Sequence, residues 1–421
     1  MKTSNLGLNI VGYTEGEFGL GEAVRLNINA AKSANISLNL INFEKLKKNA
    51  AYGYSFDYDV NLIQISLNDL ERFFSVIDPT FFQDKYSILF LVWESEYIPS
   101  KLKKTVTLFN EIWTPSSYCK NVFKRVFEGP ILTVPHPVEI SLTPLSKFNS
   151  ILNEDKFSFL FIFSYHSSVE RKNPFHLIDS FKKAFGTNEN VELVIKTSGA
   201  KHYKKFERRV AKSVSSQKNI KIIDIELDKN SVNHLIKDCD CYVSMHHSEG
   251  FGLTLAEAMY FGKPAIATNY SGNKEFMNDD NSFLVDYELG LIKNPDANFP
   301  PETLWANPIT EHSIEKLKEV YKNPNLRETK AKNAALYIKE KLSFNAIGLI
   351  MSNRLNHLYM NFDDLSTNKN QSSYLLNQLQ LAKAEITVLE RQVRSMKKNI
   401  VIRFMLFIKN RIRILKGKKP L

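Results

Sequence analysis

Short apolar runs alternate with helix-period segments along most of this chain. Residues 6–12 read as a strand, 16–21 as a glycine-rich loop, and 22–33 as a helix with Ala23, Leu26, Ile28 and Ala30 among its apolar positions. Runs at 61–66, 87–93, 111–114 and 131–135 read as further strands with helices between them. After residue 136 the period is lost in a Pro-, Ser- and Asn-containing stretch. The pattern then restarts. Residues 157–163 are a continuous apolar run, as in a buried strand, and 174–185 a helix with Pro at its start. Strands follow at 191–196, 220–224, 241–245 and 264–267, with a helix at 251–261 between the last two.

Strands alternating with helices predict an α/β protein with parallel sheets. Two successive units of this kind predict two Rossmann-like lobes facing across a cleft. The expected boundaries are a first lobe at 1–140, a linker at 141–155, a second lobe at 156–345, a closing helix at 346–363 and a tail at 364–421. In such sheets ligands bind beyond the carboxyl ends of the strands. That puts the loops 14–21, 164–173, 246–254 and 268–275 at the cleft.

Composition narrows the class. A chain of 421 residues is too long for one ordinary core, and 43% hydrophobic with 24% charged residues is globular rather than disordered. No stretch approaches the ~18–20 consecutive apolar residues of a membrane span. The first residues carry no signal-peptide pattern, and three cysteines, Cys119, Cys239 and Cys241, make no disulfide framework; a cytoplasmic location is expected. The net charge is +11, and residues 391–421 alone hold eleven Lys and Arg with no acid. The body is therefore charge-balanced, which disfavours nucleic acid as a partner.

Candidate chemistry concentrates at Ser248-Glu249-Gly250-Phe251-Gly252-Leu253-Thr254-Leu255-Ala256-Glu257-Ala258-Met259. This is a strand end, a loop with two glycines and a helix start. The amides of Gly252, Leu253 and Thr254 would face an anion over the helix end. Glu249 and Glu257, eight positions apart, can bracket one extended ligand and accept hydrogen bonds from vicinal hydroxyls. The plainer reading makes Glu249 a cap and Glu257 a solvated helix residue, but Glu257 lies in an otherwise apolar helix.

The spacing of these glutamates resembles the E-x7-E signature of the retaining GT-B glycosyltransferases of family 4, also called glycosyl transferases group 1. Asp240-Cys241-Tyr242-Val243-Ser244 and the run Gly262-Lys263-Pro264-Ala265-Ile266-Ala267-Thr268 are similar to that family as well. The resemblance covers roughly residues 6–360. It implies that Glu249 contacts the donor sugar's hydroxyls, that Glu257 binds the nucleotide ribose, and that the backbone from Gly250 and Phe251 to Thr254 holds the diphosphate and sugar.

A second constellation is Ser164-Tyr165-His166-Ser167-Ser168-Val169-Glu170-Arg171-Lys172-Asn173-Pro174. Charge grows on a leaving diphosphate, and Lys and Arg are the side chains that neutralise it. The family has an Arg soon after the strand and a Lys several residues later. Lys172 matches the Lys; His166 stands near the Arg position, and Arg171 is the candidate substitute. The loop Glu15-Gly16-Glu17-Phe18-Gly19-Leu20-Gly21-Glu22 is a weak signal alone; the resemblance turns Gly19 and Gly21 toward the diphosphate. Glu94, in Val92-Trp93-Glu94-Ser95-Glu96 at a strand end, is a candidate to orient the acceptor hydroxyl or act as a base, unless Trp93 is core and both acids are solvated. Trp113-Thr114-Pro115-Ser116, His136-Pro137 and Asn269-Tyr270-Ser271-Gly272-Asn273 are similar to cleft-facing stretches of the family. Cys239, Cys241, His246 and His247 do not have zinc-site spacing, and neither a metal nor another cofactor is expected.

In the tail, Leu375, Leu379, Ala382, Ile386, Leu389, Val393, Met396 and Ile400 step alternately by four and three. This is a coiled-coil seam through which copies could associate, or one amphipathic helix packed on the body. Phe404, Ile408, Ile412 and Leu415 then form an apolar stripe flanked by Arg403, Lys409, Arg413 and Lys416, with Arg411 near its edge. Residues 400–421 therefore suit an anionic membrane surface. The expected function is transfer of a hexose, mannose favoured, from a nucleotide-diphosphate donor (GDP-mannose or a UDP-hexose) to a polysaccharide or lipid-linked glycan at the inner membrane face. A sugar-nucleotide epimerase and a non-catalytic membrane scaffold are the rivals.

Overall fold

The apolar run after Leu6 forms β1 (Gly7–Gly12), buried at every residue, as expected of a parallel strand covered on both faces. The computed structural model describes residues 6–16, 18–46, 56–144, 151–292 and 299–362, with 389, 391–393, 395, 400–415 and 419 beyond them. Beside β1 lie β2 (Ser37–Asn42), β3 (Val60–Gln64), β4 (Tyr86–Phe90), β5 (Glu111–Thr114) and β6 (Ile131–Thr133). They form one parallel sheet in the order β2-β1-β3-β4-β5-β6. Its helices include α1 (Gly19–Ser33), α2 (Leu70–Val76), α3 (Ser100–Val106) and α4 (Ser117–Phe123).

A second parallel sheet contains β7 (Phe157–Ser164), β8 (Val191–Ser198), β9 (Ile220–Asp224), β10 (Cys241–Ser244), β11 (Ala265–Thr268) and β12 (Phe283–Val285). Its order is β12-β11-β10-β7-β8-β9. Around it run α5 (Val169–Lys172), α6 (Pro174–Phe185), α7 (Lys204–Val214), α8 (Lys229–Asp238), α9 (Leu253–Tyr260), α10 (Thr310–Lys322) and α11 (Pro324–Lys341), and α12 (Phe344–Met360) follows them in the chain. An antiparallel hairpin, β13 (Tyr287–Leu291) and β14 (Leu304–Pro308), follows the second sheet.

Several elements escape the sequence pattern. Strand β2 does so because Ser37, Asn39 and Asn42 interrupt its apolar positions. Asn39 donates its amide to Asn9 (3.2 Å), and Asn9 donates to Asn61 (2.9 Å), so a side-chain ladder crosses three strands. Helix α1 begins at Gly19 rather than at 22, so Gly19 and Gly21 lie in its first turn and not in the loop. A Cβ on Gly21 would run into the Gly16 carbonyl, which explains a glycine there.

Although it follows the second lobe in sequence, α12 packs on the first. Its Gly348 faces the Ala30 carbonyl of α1 so closely that a Cβ would collide with it. Tyr359 donates to the Gly7 carbonyl (2.7 Å), and the Arg354 guanidinium grips the fully buried Glu111 carboxylate (2.6 Å at the shortest). Where the chain leaves the first sheet, the Val138 amide bonds the Leu342 carbonyl (2.6 Å), so the two crossings between lobes run side by side.

Helix α13 (Ile400–Leu415) completes the described residues apart from residue 419. Phe404, Phe407, Ile412 and Leu415 are exposed on it. Of the heptad positions, Leu389 and Val393 are helical and exposed, while Leu375, Leu379, Ala382, Ile386 and Met396 lie outside the described residues.

Candidate active site

After β10 the chain turns through His246–Phe251 into α9, and Gly252 makes the turn at φ +92°, a conformation that favours glycine. Leu255 and Ala256 donate to the Gly252 carbonyl (3.0 and 3.2 Å), so the Leu253 and Thr254 amides lie ahead of the first helical hydrogen bond. The turn rests on its neighbour in the second lobe. The Glu249 amide donates to the Ser271 hydroxyl (2.8 Å), and the Gly272 amide to the Glu249 carbonyl (2.9 Å). The fit leaves no room for a side chain, because a Cβ on Gly272 would strike the Gly250 carbonyl.

Helix α5 brings two cations to this turn. Ser168 caps it by accepting from the Arg171 amide (3.4 Å), and Asn173 ends it in the left-handed region at φ +54°. Lys172 Nζ donates to Glu249 Oε1 (2.5 Å), and Arg171 Nη1 reaches Glu249 Oε2 at 3.0 Å. The same guanidinium donates to the Ser248 carbonyl (2.8 Å) and lies 3.4 Å from Glu94 Oε1 of the first lobe. Burial on its own would raise the Glu249 carboxyl, but the charges of Lys172 and Arg171 outweigh it and hold the group well below the usual carboxylate range. Burial, with the Arg171 charge adding to it, lowers the Lys172 ammonium. Glu249 is therefore an ionised acceptor in a cluster of two cations and two acids, of which Glu94 is the most exposed.

The turn also touches the first lobe. Ser248 Oγ donates to the Glu94 carbonyl (2.5 Å), Ser116 Oγ to the Gly250 carbonyl (2.7 Å), and Tyr270 OH to Glu96 (2.8 Å). Phe251 meets the buried His136 ring edge-on at 5.2 Å. Sequence reasoning marked Ser116, His136 and Tyr270 only within stretches resembling cleft positions, and Ser248 only as the first residue of the glycine-turn stretch. Serine carries no signal that tells a contact from a loop.

Glu257 is buried at 2% exposure, against the solvated alternative. Lys229 Nζ donates to its Oε1, while Oε2 has no partner. Beside it is a cavity of about 190 Å³ lined by Glu22 and Asn29 of α1, Glu139 after β6, Lys229 and Asn233 of α8, and Phe344 of α12. Lys229 was missed by the sequence reading. The other expected residues lie elsewhere. His166 is exposed and contacts Tyr203 (OH to Nδ1 3.5 Å) and His202. Gly19 has open space around it, and the next residue but two, Glu22, reaches the Glu257 cavity. The amino-terminus of α9 thus follows directly on the turn whose Glu249 holds Lys172, and Glu257 lies within the same helix.

Residues 147–289 match the family described as glycosyl transferases group 1. Anabaena HepE, solved with UDP and glucose, is similar at a TM-score of 0.61 and 13% identity, over 84% of this chain and all of that one. Sucrose-phosphate synthase from Thermosynechococcus elongatus is similar at 0.62 and 13%, over 84% and 99%. TarM of S. aureus is similar at 0.52 and 16%, over 70% of this chain but 55% of its own. With the two sheets described above, these likenesses give the chain the GT-B fold.

Proposed function

We propose, from a GT-B fold whose residues 147–289 match glycosyl transferases group 1, that this chain is a retaining glycosyltransferase. It would move a hexose from a nucleotide-diphosphate sugar to a cell-surface polysaccharide or lipid-linked glycan. The observation that carries the reading is the Lys172–Glu249–Arg171 cluster beside the amino-terminus of α9, with Glu257 one helix face further on and opening to a cavity. In this reading Glu249 accepts from the sugar's hydroxyls. Lys172 and the Gly252–Thr254 amides stabilise charge as the bond from the anomeric carbon to the phosphate oxygen breaks. The acceptor oxygen bonds to that carbon on the same face, and its proton passes to the departing phosphate oxygen, with Glu94 available to orient the hydroxyl. Lys172 and the helix amides supply the positive charge, so the reading is metal-independent. His166, Gly19 and Gly21 stay as candidate donor contacts. The likeness of Tyr270-Ser271-Gly272-Asn273 to stretches serving mannose-containing glycans favours mannose; UDP in the HepE complex makes a UDP-hexose the competing donor.

Calorimetric titration of UDP, GDP, ADP and TDP tests the reading. One diphosphate should bind, and Glu257→Ala should weaken it at least tenfold. A folded protein that binds none of them is not a glycosyltransferase of this kind.

The reading places the reaction at a membrane surface. No helix among the described residues is long and apolar enough to cross a membrane. Support for surface binding comes from α13, whose exposed Phe404, Phe407, Ile408 and Ile412 accompany Arg403, Lys409 and Arg413. At ~1 kcal/mol per basic residue near anionic lipid, the full chain should sediment with phosphatidylserine-containing vesicles at low salt. Arg403→Gln, Lys409→Gln and Arg413→Gln together should release it. Equal sedimentation of that variant would reject the lipid contact.

A further inference from the structure

The Glu257 carboxylate is built in a way the proposed transfer does not by itself require. One oxygen is bonded to Lys229 and the other has no partner although the residue is buried. A buried acceptor left unpaired costs of the order of 1–3 kcal/mol, so such an atom signals a donor supplied from outside. Asn233, one turn along α8 from Lys229, also has a buried Oδ1 without a partner and lines the same cavity. Two unpaired acceptors on one cavity match the two hydroxyl donors of a ribose.

We propose that Lys229 is a positioning residue of the donor site: its bond to Oε1 holds the Glu257 side chain turned so that Oε2 faces the ribose hydroxyls of a nucleoside diphosphate in this cavity. The inference rests on the reading that Glu257 serves a nucleotide. The groups facing Glu257 are Lys229 and Asn233 from α8, Glu22 from α1, Glu139 from the segment after β6, Tyr242 from β10 and Phe344 from α12. Among the described residues Lys229 is the cation bonded to it; the nearby Arg25 is turned to Glu22 (2.7 Å) and the Gly16 carbonyl (2.7 Å). Burial raises the Glu257 carboxyl and the Glu22 charge adds to this, while Lys229 opposes both. Lys229 is also the first residue of α8, where the helix dipole disfavours a cation. The preceding Asp228 offsets part of this cost, since its carboxylate caps the same helix end through the Ser231 amide (2.7 Å). A residue kept against its local preference is expected where a site needs it.

The test is the affinity of the full chain for whichever of UDP, GDP, ADP and TDP binds, measured between pH 6 and 8.5 in wild type, Lys229→Met and Lys229→Arg. Without Lys229 the Glu257 carboxyl takes up its proton at higher pH. Lys229→Met should therefore bind at least tenfold more weakly at pH 6.5 and recover towards pH 8.5, and Lys229→Arg should restore the wild-type profile. In a Glu257→Gln background, which needs no counter-ion, Lys229→Met should cost no further affinity. That comparison stays informative even if Lys229→Met lowers overall stability. An unshifted pH profile, or equal losses in both backgrounds, overturns the positioning role while leaving nucleotide binding intact. If wild type binds none of UDP, GDP, ADP and TDP, the underlying reading fails first and this inference with it.

Discussion

Glu249 is fixed from every side: Lys172 and Arg171 hold its carboxylate, Ser271 its amide and Gly272 its carbonyl. Ser271 makes its contact from φ +74°, a strained setting for a residue with a side chain. Such restraint is what a group aimed at a reacting sugar needs, because misplacement costs rate more than it costs stability. Lys172→Ala and Glu249→Ala should each lower turnover by about two to three orders of magnitude with an unchanged circular dichroism spectrum; steady-state kinetics on the donor that calorimetry identifies checks this. At this scale the sequence was legible wherever a residue type is rare in its setting. Two glutamates around a glycine turn and a lysine after a strand stand out. Lys229 did not, since a lysine at a helix start reads as a solvated surface residue until Glu257 is seen beneath it.

At the level of elements, the parallel strands were readable because burial on both faces makes them continuous apolar runs, as in Phe157–Ser164. The hairpin was not. The first strand, Tyr287–Leu291, is mostly exposed, both strands mix polar with apolar residues, and twelve residues lie between Leu291 and Leu304 in sequence. Strand Ser37–Asn42 was hidden by asparagines whose partners lie on other strands. The packing of α12 on α1 likewise depends on one small residue, Gly348, whose role shows only in three dimensions. Gly348→Leu should destabilise the chain by about 1–3 kcal/mol through overpacking, visible as a lower urea midpoint. An unchanged midpoint would mean the two helices separate at no cost.

On the scale of the whole molecule, the lobes meet through rings and hydroxyls as well as charges. The buried His136 ring, which leaves the first sheet with β6, stacks on Phe90 at 5.4 Å and meets Phe251 of the second lobe, and its Nδ1 has no partner. Burial lowers its pKa to about 3, against about 6.5 unfolded. Its contribution to stability is complete above the unfolded value and is lost as pH falls towards the folded one. His136 alone should make the protein about 2 kcal/mol less stable at pH 5 than at pH 8, and His136→Phe should flatten the urea midpoint over that range in proportion. Two lobes were legible from a repeated pattern; which residues meet between them was not, since most of these contacts join segments more than a hundred residues apart, as Ser116 and Gly250 do.

The return of α12 to the first lobe has a consequence for how the protein is made. The outer face of α1 and the Glu111 carboxylate are completed only by Gly348, Arg354 and Tyr359. A ribosome that has finished Ile131–Thr133 must add roughly two hundred more residues before those partners emerge, which at ~5–20 residues per second is about ten to forty seconds. During that interval the second lobe can fold on its own helices, while the earlier-made half waits with an apolar face and a buried-type acid exposed. The nascent first lobe is thus the natural client for a chaperone, and pulse-labelled chains stalled before and after residue 360 should differ sharply in their resistance to protease.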